Sequence, residues 1–158
     1  MAEELKRALN VAYRLLAGRD RSVYEIRSAL LKKEFAPELA EEVVLVLSEK
    51  RLLDDTKFAR LYAESLLRNR KAGPRYIEQA ILKKGIARET AENTVAVIFA
   101  DPYTQELEIA GWVERKTKSM KSGLTPMQKK KRIFNFLIRR GFSYDAIMKG
   151  IGKRNFGD

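Results

Sequence analysis

A pattern of apolar and basic positions recurs three times along the chain. The copies cover residues 26–36, 77–87 and 133–143. In each copy an apolar residue occupies the first, fifth and sixth positions, and two cations, a turn position and another apolar residue follow. The second copy begins 51 residues after the first, and the third begins 56 residues after the second. A period of this length is typical of arrays of small units that pack on their neighbours.

Apolar residues spaced three and four apart predict three helices in each repeat. Ser22, with Glu25 three residues later, forms a capping-box pattern at the start of a middle helix. Pro37 suits the first position of a third helix, and Thr125-Pro126 marks the start of another middle helix. No segment shows sustained alternation of apolar and polar residues. The sequence therefore predicts an all-α fold.

These elements place three tandem three-helix repeats at residues 1–53, 54–102 and 103–158. We expect them to form an elongated array in which the equivalent anchors of the middle helices are buried. In the first helix of the third repeat, we align Ala110 with Ala59 of the second repeat.

The composition offers little for catalysis. The chain contains neither cysteine nor histidine, which removes disulfides, the common zinc ligands and the usual general base. Asp54-Asp55 is the one acidic pair that invites a catalytic interpretation, and adjacent acids at a helix start more often cap the helix. No glycine-rich phosphate loop is present. We expect no enzyme activity, no cofactor and no metal.

Other features bear on the compartment. No apolar run approaches the roughly 18–20 residues that span a bilayer, and the acidic, amphipathic start of the chain is unlike a signal peptide. A chain without cysteine suits a reducing environment. We expect a cytoplasmic protein that is monomeric and has no membrane partner.

The charge is large and unevenly distributed. The chain has 32 basic and 21 acidic residues and a net charge of +11, and residues 103–158 account for +8 of it. Such a surplus favours a polyanionic partner, either a phosphate backbone or an acidic protein groove, over a merely solvated surface. The candidate binding residues are Arg115, Lys116, Lys118, Lys121, Lys129, Lys130, Lys131, Arg132, Arg139 and Arg140.

Aromatic residues are interleaved with these cations, a pattern that also occurs in nucleic-acid-binding surfaces. Phe142 falls at the repeated apolar anchor, so we expect it in the core. Phe134 and Phe136 lie on different faces of one helix, so one of them could be partly exposed. Trp112 is the sole tryptophan, and we expect it to pack between repeats rather than to contact a partner.

Taken together, these segments resemble the RecX regulatory family over essentially the whole chain. The more specific parts are Leu-Asp-Asp-x-x-Phe-Ala at residues 53–59 and Arg-Gly-Phe-Ser at residues 140–143. Further similar segments are residues 13–16, 21–27, 71–77 and 83–86. The first helix of the third repeat departs most from the family pattern.

The resemblance implies a regulator that binds RecA recombinase filaments on single-stranded DNA and mostly inhibits their assembly, ATPase and strand exchange. It also implies weaker, non-specific binding to single-stranded or double-stranded DNA. Two alternatives stay open. A stand-alone DNA-binding helical module would bind nucleic acid tightly without a recombinase, and a structural adaptor would leave recombinase activity unchanged.

Overall fold

Nine α-helices form all the regular structure in residues 2–152 and residue 156, which are the residues that the computed structural model describes. This confirms the predicted all-α fold. Residues 153–155, 157 and 158 of the third repeat lie outside the described part. The helices are α1 (Ala2–Gly18), α2 (Val23–Lys32), α3 (Pro37–Glu49), α4 (Asp55–Arg70), α5 (Pro74–Leu82), α6 (Arg88–Ile98), α7 (Pro102–Ser119), α8 (Pro126–Arg139) and α9 (Tyr144–Gly152).

The predicted helix starts are confirmed. At the start of α2, the Ser22 hydroxyl accepts a hydrogen bond from the backbone N–H of Glu25 at 3.1 Å, and the Glu25 carboxylate accepts one from the N–H of Ser22. Thr125 and Gln128 form the same reciprocal pair at the start of α8. Pro37 is the first residue of α3, where its missing N–H has no consequence.

The chain divides into two compact units. One comprises Met1–Tyr62 with Ile81–Thr94, and the other Ala63–Ala80 with Val95–Asp158. The middle repeat therefore contributes to both, because α4, α5 and α6 each carry residues of the two units.

Each unit has an apolar core of side chains with little or no exposed surface. The core of the first unit includes Ala8, Ala12, Ile26, Leu30, Ala40, Val43, Leu47 and Leu53. The core of the second includes Ile109, Val113, Ile133, Leu137, Phe142, Ile147, Ile151 and Phe156. Phe142 is thus buried as predicted.

Burial corrects the alignment of the first helices. Ile109 and Val113 are the buried residues of α7, and Ala59 is buried in α4 while Ala110 is only half-buried. The equivalent of Ala59 is therefore Ile109, so the predicted match to Ala110 is wrong by one residue. On a helix a shift of one residue turns a side chain by about 100°, enough to move it out of the core.

A recurring contact joins successive repeats, and we call it the repeat joint. In the first unit, the start of α2 meets the turn after α5. The hydroxyl of Ser22 donates a hydrogen bond to the carbonyl oxygen of Lys84 at 2.7 Å. Gly85 has a φ of +74°, and a Cβ atom there would overlap the side chain of Tyr24. Only glycine meets both requirements.

The second unit contains the same joint, one repeat further along. The N–H of Gly73 donates to the carbonyl oxygen of Arg140 at 2.8 Å, and the N–H of Arg75 donates to that of Gly141 at 3.0 Å. Gly141 has a φ of +85°, and a Cβ atom there would overlap Tyr76. Ser22 and Gly73 are equivalent positions, so the same carbonyl is bound by a hydroxyl in one joint and by a backbone N–H in the other.

Candidate polyanion-binding surface

The ten predicted cations lie on two helices of the second unit and the residues that follow them. Helix α7 carries Arg115, Lys116 and Lys118, and Lys121 follows it. Helix α8 carries Lys129, Lys130, Lys131, Arg132 and Arg139, and Arg140 follows it directly.

Four of these cations line one groove of about 510 Å³, which we call the third-repeat groove. Arg132, Phe136 and Arg139 lie on the face of α8 that borders it, three and four residues apart. Lys116 and Lys121 come from the end of α7 and the turn after it. The groove is completed by Ser119, Met120 and Asn135. The predicted residues are therefore only partly brought together.

Arg115 and Arg140 contact an aromatic ring beside this groove. Their guanidinium carbons lie 4.3 and 4.6 Å from the centre of the Trp112 ring. The indole N–H of Trp112 donates to the carbonyl oxygen of Lys71 at 3.0 Å. Residue 71 lies between α4 and α5, so Trp112 packs between repeats as predicted. A cation over an aromatic ring gains about 0.5–1 kcal/mol at exposed sites, which orients both arginines.

Phe136 is also surrounded by cations. Its ring packs edge-on against Trp112 with 4.9 Å between centres, and the ammonium of Lys116 lies 4.2 Å from its centre. Phe134 instead packs edge-on against Tyr144. Phe134 and Phe136 are both half-buried, and each ring already packs against another aromatic ring.

The remaining cations point to several environments. Lys118 forms an ion pair with Glu114 at 2.8 Å. Lys130 lies 5.6 Å from the centre of the Phe156 ring, Lys129 is half-buried and Lys131 is exposed. Consecutive residues of a helix are about 100° apart, so the run 129–132 is dispersed around α8 and does not form one site.

Asp54 and Asp55 are occupied by backbone groups. Asp54 accepts a hydrogen bond from the N–H of Lys57 at 2.9 Å and so caps α4, as predicted. Asp55 instead accepts from the N–H of Val23 at 2.9 Å, at the start of α2. Burial raises the pKa of Asp55, while this hydrogen bond acts in the opposite direction. Within residues 2–152 and residue 156, no group of acidic side chains is arranged to hold a metal ion.

An ion network at the first repeat joint was not predicted. The carboxylate of Glu25 binds Arg19 at 2.8 Å and Lys84 at 2.9 Å. Burial alone would raise the pKa of Glu25, but hydrogen bonds from Arg19 and Lys84, together with their charges, lower it to about 2. The network spans two repeats, so no local sequence pattern could have revealed it. It strengthens the joint rather than a binding surface.

The helices and their joints define a class of protein, an all-α array of three tandem three-helix repeats. None of the described helices has the length and apolar character needed to cross a membrane. Three family models match the repeats in order. They are the RecX first three-helix domain at residues 8–45, the second at 54–95 and the third at 109–151. The chain belongs to the RecX family.

Relatives and solved structures agree with this assignment. Regulatory protein RecX of Listeria innocua is 28% identical over 147 residues, which are 92% of this chain and 53% of the relative. That of Bacillus velezensis is 32% identical over 146 residues, 92% of this chain and 54% of the relative. The chain therefore spans about half the length of these relatives. The crystal structure of RecX from Lactobacillus salivarius shares the fold, with a TM-score of 0.88, 23% identity and 97% of both chains covered.

Proposed function

We propose that this chain is a regulator that binds RecA recombinase filaments on single-stranded DNA and mostly inhibits their assembly, ATPase and strand exchange. The observation that carries the proposal is the match of all three repeats, in order, to the three RecX domains. The curated relatives are called regulatory proteins, a name that supports a non-catalytic role.

The repeats suit a filament as a target. A helical filament presents the same subunit surface many times, and a protein of three related units can contact it at several points. Linked contacts raise the apparent affinity well above that of each one alone. A regulator that binds one arrangement of the filament subunits better than another shifts the filament toward that arrangement. ATPase and strand exchange would change as a result.

The third-repeat groove supports contact with the phosphate backbone of the DNA in such a filament. It gathers Lys116, Lys121, Arg132 and Arg139 along two helices. Lysine and arginine neutralise phosphates without reading base sequence. Binding of this chain to the filament would then require DNA but would not depend on the base sequence of that DNA.

Titration into a RecA–single-stranded DNA reaction tests the proposal. Both ATP hydrolysis and strand exchange should fall as the concentration of this protein rises, and the protein alone should hydrolyse no ATP. The Lys118→Gln variant serves as a control for the loss of one positive charge, because Lys118 is exposed and lies outside the groove. It should inhibit as the unaltered chain does. Undiminished strand exchange in the presence of excess protein would refute the proposal.

The second candidate is a stand-alone DNA-binding module, which the cationic lining of the third-repeat groove favours. The two functions differ in their need for the recombinase. A stand-alone module would bind DNA tightly in its absence and would leave the ATPase of filaments assembled beforehand unchanged. A regulator would act on those filaments at concentrations too low to coat free DNA.

A further inference from the structure

A second cationic groove, of about 490 Å³, lies in the first unit. We call it the first-repeat groove. Arg7 and Arg14, two turns apart on α1, line it together with Asn10. Lys32 and Lys33, at the end of α2, line it as well. Its size and its cation-rich lining resemble those of the third-repeat groove, although the two are in different units.

An aromatic side chain also borders this groove. Phe35 occupies the apolar anchor position that Ile86 and Phe142 occupy in the other repeats. Those two are buried, with 4% and 1% of their surface exposed, whereas Phe35 is only half-buried and packs at the edge of the first core. Part of the Phe35 ring is therefore exposed at the groove, where a ligand can contact it.

The adjoining turn is open for an identifiable reason. In the second and third repeats the equivalent turn contains Gly85 or Gly141 and is covered by Tyr24 or Tyr76. The first repeat has Glu34 there, exposed and with a φ of 64°. Glu34 also borders the groove, so four cations outweigh one carboxylate.

The net charge of the first repeat does not indicate a cationic groove. Residues 1–51 contain 10 basic and 9 acidic residues, and so appear nearly neutral. Two of the acids pair with cations outside the groove. Glu25 binds Arg19 and Lys84, and Glu41 forms an ion pair with Arg27. The groove itself is lined by four cations and one carboxylate, so its local field is more positive than the net charge of the repeat suggests.

We propose that the first-repeat groove binds a segment of single-stranded nucleic acid, with phosphates at the four cations and a base against Phe35. Cations along a strand combined with an aromatic face are the features that sequence-independent single-strand binding uses. An acidic peptide would engage the cations but would leave Phe35 without a function. The inference deepens the proposed function by adding a second DNA contact, and it rests on that function only for its role in a filament.

The first test measures how the full chain binds a fluorescent oligothymidylate as salt is varied from about 0.05 to 0.2 M. Arg14→Gln with Lys32→Gln should flatten the slope of log affinity against log salt by about 1.4, since each single-strand phosphate contact contributes about 0.7. Affinity should fall roughly tenfold at about 0.15 M salt. The control, Lys6→Gln with Lys83→Gln, removes the same charge from exposed positions outside the groove and should change affinity less than about twofold.

A second test addresses the aromatic contact. Phe35→Leu keeps an apolar anchor but removes the stacking face, and should weaken binding by at least about fivefold. Phe35→Tyr should restore it. Glu34→Gln should tighten binding, because it removes the opposing carboxylate; a purely structural role for this turn predicts no such gain. Circular dichroism and thermal melts verify that each variant is folded. If Phe35→Leu does not fold, Glu34→Gln still tests whether DNA binds in this groove.

Two results would overturn the proposal. One is an equal loss of affinity in the groove variant and the control, which would assign the effect to net charge. The other is equally tight binding of polyglutamate with the same dependence on Phe35, which would assign the groove to an acidic protein. None of these measurements contains a recombinase. If they fail while RecA inhibition persists, the site is wrong and the proposed regulator stands.

Discussion

Three different residues, Glu34, Gly85 and Gly141, share one turn position, and all three have a left-handed backbone conformation. That conformation costs an ordinary L-residue about 1–2 kcal/mol, because its Cβ crowds the following carbonyl oxygen. Glycine has no Cβ and avoids the cost. Glu34 is therefore held in a strained conformation that the other two repeats escape.

Replacing Glu34 by glycine should stabilise the protein. We expect the free energy of unfolding to rise by about 0.5–1 kcal/mol, because relief of the strain exceeds the extra entropy that glycine has in the unfolded chain. Urea unfolding monitored by circular dichroism measures it. Gly141→Ala is the reverse case and should cost more than about 2 kcal/mol, since it adds both the strain and an overlap with Tyr76. A destabilised Glu34→Gly variant would contradict this account.

Glu25 should make stability depend on pH. Because its pKa in the folded protein is lowered to about 2, it contributes stability that is present above the pKa of the unfolded chain, near 4.5, and that is lost as pH falls toward 2. We expect Glu25→Gln to be less stable at pH 7 and to lose less stability than the unaltered chain between pH 4.5 and 2. Urea titrations at several pH values measure both effects.

The matched control for Glu25 is Glu38→Gln, because Glu38 is an exposed carboxylate in the first turn of α3. This variant should keep the acid dependence of the unaltered chain. If Glu25→Gln and Glu38→Gln have the same pH profile, the ion pairs of Glu25 with Arg19 and Lys84 contribute nothing in solution.

At the scale of elements, the middle helices hold their repeats through equivalent anchors. Leu30, Ile81 and Leu137 each have no exposed surface. Truncation of any one to Ala should lower the free energy of unfolding by about 2–5 kcal/mol, through lost apolar contacts and the cavity left behind. Leu45→Ala is the control, because Leu45 is 60% exposed, and should cost less than about 0.5 kcal/mol. Chemical denaturation of all four variants provides the comparison.

The sequence predicts an element best where its signal is local. Ser22 with Glu25 and Thr125 with Pro126 lie within one turn of the helices that they start, and both starts are confirmed. The repeat joints depend on distant partners; Ser22 and Lys84 are 62 positions apart. In α7 two adjacent apolar residues are available for one buried position, so the pattern alone selected Ala110 where the structure buries Ile109.

The grooves show a similar limit. The basic run at 129–132 was prominent in the sequence, yet only Arg132 of those four lines the third-repeat groove, since a helix disperses consecutive residues around its axis. The first-repeat groove was missed because its cations are separated in sequence and offset in number by nearby acids. A helical spacing of seven between Arg7 and Arg14 was the available signal.

At the scale of the whole molecule, the position of the cations should affect DNA binding more than their total number does. We predict that Gln at Lys121, Arg132 and Arg139 weakens DNA binding and flattens the salt slope by about 2, at about 0.7 for each single-strand phosphate contact. The matched control places Gln at Lys118, Lys130 and Lys131, which lie outside the third-repeat groove.

Both triple variants lose the same charge, and Gln is nearly as good a helix former as Lys or Arg, so circular dichroism should show intact helices in each. Fluorescence anisotropy with single-stranded DNA across a salt series measures the slopes. Identical slopes for the two variants would mean that net charge alone attracts the DNA.

The repeat joint also has a direction, which bears on self-assembly. It is a head-to-tail contact, since a tyrosine near the start of one middle helix covers a glycine after the next, and contacts of this type can extend without limit when both ends are free. At the corresponding turn of the first repeat, Glu34 has the side chain that Gly85 and Gly141 lack. A middle-helix start that docked on this turn in the same way would meet that side chain. The turn after α2 therefore lacks the bare backbone surface on which both joints are built, which disfavours a further joint of this kind at this turn.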